Sequence, residues 1–304
     1  MDHQDVFCYG ELGVDNIIQA DRLPTPEIAV FPRAESYHIG GAAANTAVWL
    51  ANMGIPVGLA GNLIGQDQYG EWLWDWLKKH PLLDLSLVEK SEGIPTPFTR
   101  AIVTPDGERS FLIFYYPQTP KLPFQLSMLK GAKYVALDLY GGPERLKTAR
   151  DAIQAGVQTT IGDVIWADHA VLPYTSIATN SASYIRSVFP GIDVCQQARK
   201  LQFISKGIVI TTDGGEDVFV VDQKGAAFTV KPPVVTSVDA TGAGDAFRAG
   251  LLYGLLKGLD LPHSVCMGVA AGALKVGFIG AATTLPKLSE IETLSSTMTV
   301  TAAN

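Results

Sequence analysis

Apolar residues in this chain fall into short β-branched runs separated by longer segments in which they recur every three or four positions. The short runs predict strands at 6–10, 57–61, 134–139, 159–163, 176–179, 207–212 and 218–221. The longer segments predict helices over 45–53, 70–80, 144–155, 194–202, 246–257 and 263–276. Strands alternating with helices predict an α/β fold, a mostly parallel sheet covered on both faces. Residues 98–115 break that rhythm with a strand, a Pro105-Asp106-Gly107 turn and a second strand. That is a β-hairpin pattern, suited to a lid, and residues 15–37 are candidates to add strands to it. No composition break or internal repeat divides the chain, so one domain is expected over 1–304, with lid segments at about 12–38 and 96–117. On the 70–80 helix Trp72 and Trp76 share a face while Trp74 points elsewhere, a stripe that predicts core packing or a subunit contact.

Two glycine-rich segments carry candidate chemistry. The first, Val238-Asp239-Ala240-Thr241-Gly242-Ala243-Gly244-Asp245, follows a β-branched run at 233–238 that reads as a buried strand. It leads into Phe247, Leu251, Leu252, Leu255 and Leu256 at helical spacing. The backbone N–H groups of Gly242, Ala243 and Gly244 are thereby placed at the positive end of a helix dipole, where they can hold a phosphate. Asp245 puts a carboxylate beside that anion site, where it can take the proton of a hydroxyl attacking a phosphoryl group. A tight strand-to-helix turn with no chemistry is the alternative. The second segment, Gly40-Gly41-Ala42-Ala43-Ala44-Asn45, opens an alanine-rich helix that ends at Gly54. Small side chains there admit a ligand to the backbone, and Asn45 offers both a donor and an acceptor. Close helix packing would use the same residues.

Composition narrows the class. The chain has 304 residues, 47% of them hydrophobic, and 30 glycines, enough for a large α/β core. A formal charge of −7 argues against a nucleic-acid or anionic-membrane surface. Cys8, Cys195 and Cys266 are too scattered for a disulfide scaffold or a zinc site, which suits a reducing cytosol. The first five residues lack the features of a signal peptide. The most apolar late stretch, 265–279, is interrupted by Lys275 and is too short to span a bilayer. A soluble, cytoplasmic protein is expected. There is no G-x-x-x-x-G-K-S/T, no third glycine of a dinucleotide fingerprint (Phe247 stands there) and no H-R-D or D-F-G. The five histidines have no metal-ligand spacing.

Together the two glycine segments resemble the signatures of the ribokinase-like (PfkB) family of sugar and nucleoside kinases, and further segments follow in the family's order. Residues 10–15 resemble its first strand and substrate-binding aspartate, and 61–70 its G-x-D-x-F/Y-G turn. Residues 96–116 are similar to its lid hairpin, 210–215 to its nucleotide-side loop and 280–286 to its C-terminal segment. The resemblance implies a three-layer α/β/α sandwich with a mostly parallel central sheet and a small β-lid. It implies an ATP-dependent phosphotransferase acting on a primary hydroxyl of a sugar, nearest in motif form to fructokinases and 2-keto-3-deoxygluconate kinases. In that setting Asp245 is the general base, and Gly242, Ala243 and Gly244 hold the transferring phosphoryl group. Asp15, Gly41, Asn45 and Tyr115 hold the sugar, and Asn180, Thr212 and Gly214 meet the nucleotide. Asp239, Thr241, Gly280 and Thr284 outline a candidate site for a monovalent cation. ATP and Mg2+ are the implied cofactors, with K+ and a homodimer left open.

Three positions depart from the family pattern. Its N-x-x-E motif reads Asn180-Ser181-Ala182-Ser183, so a serine replaces the glutamate that organises magnesium. The ribokinase lysine of the first motif is Ala42, and the arginine of the related lid segment is Tyr116. A nucleoside (adenosine-like) kinase, with Tyr115, Tyr116 or Phe98 stacking on a base, is one alternative reading. A non-catalytic binding protein on the same fold is the other.

Overall fold

The computed structural model describes residues 1, 3–105, 109–140 and 142–303. Among these, a ten-stranded sheet runs in the order Thr299–Ala303, Ala227–Lys231, Glu216–Val221, Ile208–Asp213, Ile177–Ser181, Gln158–Gly162, Tyr134–Leu137, Val6–Gly10, Val57–Gly61 and Leu83–Asp84. Pairing is parallel from Ile208–Asp213 through to Leu83–Asp84, and antiparallel across the other edge. The alternation along Val6–Gly10 shows why both faces are covered. Val6 and Cys8 face the helices Ala42–Asn52, Ala243–Leu256 and Leu261–Lys275, while Phe7 and Tyr9 face Pro143–Gln154 and Val194–Ser205. All four side chains are fully buried. This is a mostly parallel α/β/α sandwich, as the resemblance implies.

A second sheet of four strands, in the order Pro32–Gly40, Gly13–Ala20, Phe98–Val103 and Arg109–Phe114, stands beside the large one. Phe98–Val103 and Arg109–Phe114 pair antiparallel, as the hairpin pattern predicts; Asp106, Gly107 and Glu108 of its turn lie outside the described residues. The predicted helices all form, with ends within three residues of those expected.

The run at 233–238 is not a strand. Pro232 and Pro233 cannot donate to a ladder, and Val234, Val235 and Val238 are exposed rather than buried. The segment instead crosses to the helix layer, where the Val238 and Asp239 amides both donate to the Val276 carbonyl. On the helix Gln68–Leu77 the buried face is Gly70, Leu73 and Leu77, with the three tryptophans half-buried around it. Trp74 and Trp76 carry Lys90 and Lys79 over their rings.

Candidate active site

The parallel strands end along one rim of the sheet, and the sequence segments singled out above gather there. Asp245 sits in the first turn of Ala243–Leu256 and Asn45 in the first turn of Ala42–Asn52. Although 200 residues separate them, Asn45 Nδ2 donates to Asp245 Oδ2 at 3.0 Å. The other amide atom, Asn45 Oδ1, is buried with no protein partner among the described residues, an acceptor aimed at something the chain does not supply.

Both helices begin at glycines that must be glycines. Gly41 has φ 89°, and a side chain there would strike the Glu11 carbonyl. Gly242 has φ 75°, and a Cβ would meet Ala281. The turn at Gly242 modifies the expected anion site. The Ala243 N–H folds back onto the Ala240 carbonyl at 3.2 Å, and Ala246 N makes the first helical bond, to Gly242 O. The Gly244 and Asp245 amides therefore fall in the first turn, before the ladder begins.

Burial pushes the Asp245 carboxyl up to about 6, against the opposing pull of Arg248 and of the Asn45 hydrogen bond. Arg248 itself is buried beneath the loop. Its Nη1 donates to the Leu137 carbonyl at 3.2 Å and its guanidinium lies against Gly162. A base poised near neutral pH with a fixed cation below it is suited to proton abstraction.

Asp15 lies near the start of a central strand of the smaller sheet, 8% exposed. Burial pushes its carboxyl up to about 7; the Thr99 hydroxyl bonded to it opposes the shift, and the charges of Asp245 and Asp239 add to it. The same Thr99 bonds the hydroxyl of Tyr116, which is buried against Gly13. Tyr115 sits differently. Its backbone is left-handed (φ 69°), its side chain is 41% exposed, and its ring meets Phe98 edge-on at 5.8 Å. Tyr116, which the sequence marked as a lost arginine and a candidate base-stacking ring, is thus the tyrosine drawn in beside Asp15.

Two more acidic side chains join this side without having been singled out. Asp138, just past the end of Tyr134–Leu137, accepts from Glu11 N at 2.8 Å and from Arg145 Nε at 3.1 Å. Glu11 accepts from Lys121 Nζ at 3.1 Å and lies 3.4 Å from Arg145 Nη2.

On the other side of Asp245, Asn180 and Thr212 stand on adjacent strands, with Thr212 Oγ1 donating to Asn180 O at 3.3 Å. Both amide atoms of Asn180 are buried without a protein partner among the described residues. Ser183 is exposed and its hydroxyl shares a 2.8 Å hydrogen bond with Ser181. Asp163, at φ 58° after Gln158–Gly162, accepts from Tyr140 Oη at 2.8 Å. Gly214 (φ 59°) forms the open turn before Glu216–Val221, flanked by Asp213, which Arg186 grips with both terminal nitrogens at 2.8 and 2.6 Å.

The cation outline is brought together only in part. Asp239 accepts from Thr241 N and from Gly280 N, each at 2.9 Å, whereas Thr284 is exposed beyond the turn. Lys275, which the outline omitted, reaches into its centre with Nζ 2.6 Å from the Asp239 carbonyl. Next to it, His38 of the smaller sheet shares a hydrogen bond with Thr283 Oγ1 at 2.9 Å and packs on Gly280.

Comparison with known proteins bears on the family and the fold. The family model described as pfkB family carbohydrate kinase matches residues 3–288. The chain is 27% identical over 319 residues to probable fructokinase-6, chloroplastic, of Arabidopsis thaliana, covering 92% of this chain and 79% of that one. It is 24% identical to a 5-dehydro-2-deoxygluconokinase of Clostridium perfringens, covering 95% and 91%. The structure of Arabidopsis thaliana ribokinase complexed with ribose and ATP superimposes with a TM-score of 0.81 at 20% identity, covering 96% and 99%. The fold and the rim of glycines and carboxylates define a small-molecule phosphotransferase. The chain belongs to the PfkB family of carbohydrate kinases, enzymes that use ATP to phosphorylate sugars.

Proposed function

We propose that this chain transfers the γ-phosphoryl group of ATP to a primary hydroxyl of a neutral sugar, with Asp245 as general base. The observation that carries the reading is the Asn45–Asp245 hydrogen bond, which joins the two glycine segments into one constellation. In this reading Asp15, Gly41 and Asn45 hold sugar hydroxyls, with Tyr116 and Asp138 nearby. Asp245 takes the proton of the attacking hydroxyl, and the amides at the start of Ala243–Leu256 receive the charge that develops on the phosphoryl oxygens. Asn180, Thr212 and Gly214 line the nucleotide side. The smaller sheet acts as a lid on a single kinase domain and excludes water. A homodimer would cover the edge strand of that lid, Arg109–Phe114, where Leu112 and Ile113 are exposed. Among the described residues no helix is long and apolar enough to cross a membrane, and the three cysteines are free, in keeping with a cytosolic setting.

Neutrality of the sugar follows from where the cations are. Lys121 and Arg145 are engaged by Glu11 and Asp138, Asp15 adds a further acidic group, and the arginine that would greet a sugar acid is Tyr116. An acceptor panel read as ADP released decides the matter: ketohexoses and pentoses should turn over faster than sugar acids or nucleosides. A nucleoside as the preferred acceptor would reject the reading.

The raised carboxyls of Asp245 and Asp15 give a pH dependence. Protonation removes the base from Asp245 and the charged acceptor from Asp15. Hence kcat/KM for the sugar should be flat at alkaline pH and fall as pH drops, in overlapping steps near about 7 and about 6. A profile independent of pH between 5 and 8, roughly the range histidine and raised carboxyls titrate in, would remove Asp245 from the role of base.

The donors on the nucleotide side fit magnesium held through water. Asn180, with its unpartnered buried amide, and Asp163 would support that water shell, and the ion supplies neutralisation of phosphate charge. Ser183 brings no charge to it. Ser183→Glu adds a carboxylate in the first turn of Ala182–Val188, where the helix dipole favours it, and should strengthen the apparent magnesium affinity. Magnesium titrations at fixed MgATP read the effect; superimposable curves would mean that position 183 does not face the metal.

A further inference from the structure

We propose that the ammonium of Lys275 is a built-in cation for the phosphate-binding loop, so that this kinase requires no monovalent metal ion. The inference rests on the kinase reading above for its consequence, but on geometry for its site. Lys275 ends the helix Leu261–Lys275, and its side chain is 1% exposed. Nζ donates to the carbonyls of Asp239 at 2.6 Å and Phe278 at 3.1 Å, and lies 3.7 Å from Asp239 Oδ2.

Backbone carbonyls completed by one carboxylate are the oxygen donor set of a hard cation. Here a lysine, a compact point charge with three donors, reaches those oxygens itself. Asp239 is bound to the arrangement from several directions. Burial works against its charge, yet Lys275 and the donors of Thr241 and Gly280 hold its carboxyl below the ordinary range. The same residue leads directly into the turn at Gly242, while Phe278 leads to Gly280, whose amide donates to Asp239, and to Ala281, which packs against Gly242. The ammonium therefore ties together the two segments that shape the loop. A metal ion at the same oxygens would meet a like charge already in place.

Lys275 is accordingly a positioning residue, and dependence on cation identity separates that role from simple packing. Wild-type turnover should be nearly the same in K+, NH4+, Na+ or tetramethylammonium at matched ionic strength. The melting temperature of the ligand-free protein should be equally indifferent. Lys275→Ala vacates the charge, so it should melt lower and turn over more slowly. Both defects should be partly relieved by K+ or NH4+, which fit the vacated oxygens, and not by tetramethylammonium, which does not.

Activation of the wild type by K+ of about fivefold or more, the lower end of ordinary effector coupling, would overturn the proposal. So would a folded Lys275→Ala protein that ignores the identity of the cation. Should that variant fail to fold, the wild-type measurements decide alone. The melting experiments need no turnover, so absence of sugar phosphorylation in every buffer would reject the kinase reading and leave the site itself still tested.

Discussion

Replacing Asp245 by asparagine should lower kcat by roughly 100- to 10,000-fold, the usual contribution of a positioned base, while nucleotide binding stays nearly intact. Asparagine keeps the volume and can still accept from Asn45 Nδ2, so the 3.0 Å link between the two helix starts survives. What it cannot do is take a proton from the attacking hydroxyl. The variant should also melt no lower than wild type at neutral pH. Burial disfavours the Asp245 carboxylate, which is why its pKa stands at about 6, and removing a disfavoured charge does not weaken the fold. Steady-state kinetics, calorimetry with a non-hydrolysable ATP analogue and a melting curve check all three. Retention of most of the turnover would show that another group is the base.

The second large effect is expected at the other end of the cleft. Asp15→Ala should raise the sugar KM by about 10- to 100-fold, as loss of one or two hydrogen bonds to a charged acceptor predicts, with little change in nucleotide affinity. The asymmetry follows from position. Asp15 lies on Gly13–Ala20, between His38 and Thr99 of the neighbouring strands, whereas Asn180 and Thr212 lie across the sheet from it. A selective loss of ATP binding, with the sugar KM unmoved, would place Asp15 in the wrong half of the cleft. The Tyr116 hydroxyl offers a control, since Tyr116→Phe leaves the carboxylate but loosens the Thr99 bridge. Its effect on KM should be in the same direction and smaller.

The residues legible in the sequence are those whose signal is local. Gly41 and Gly242 announce themselves because left-handed backbone at a helix start excludes most other residues. Asp245 follows three residues after Gly242, so its place in the helix could be read from spacing. The strand and helix rhythm gave the α/β class for the same reason. Asp138 and His38 matter through neighbours far along the chain, Glu11 and Thr283, and no motif within a few residues marks them. The run at 233–238 misled because β-branched composition fits a strand, while two prolines had already removed its ladder donors. Arg248 and Lys275 fall between these cases. Each is a charge set in an otherwise apolar helical stripe, a pattern that asks for a buried partner. Lys275 served at first only to show that 265–279 could not span a bilayer; its partners, Asp239 and Phe278, became visible with the fold.

The His38–Thr283 hydrogen bond has a bearing on how the two substrates communicate. His38 belongs to the strand paired with Asp15, which in the proposed reading borders the sugar, while Thr283 belongs to the segment that begins at Gly280 and packs, through Ala281, on the turn at Gly242. A rearrangement of that strand around a sugar cannot leave the Gly280 segment untouched without parting this bond. If the strand and the segment do move together when a sugar binds, linkage requires the coupling to be mutual: whatever factor the sugar adds to nucleotide affinity, the nucleotide returns to sugar affinity. Occupancy of one site would then prepare the other, with the His38 imidazole as one mechanical link beside the Asn45–Asp245 bond.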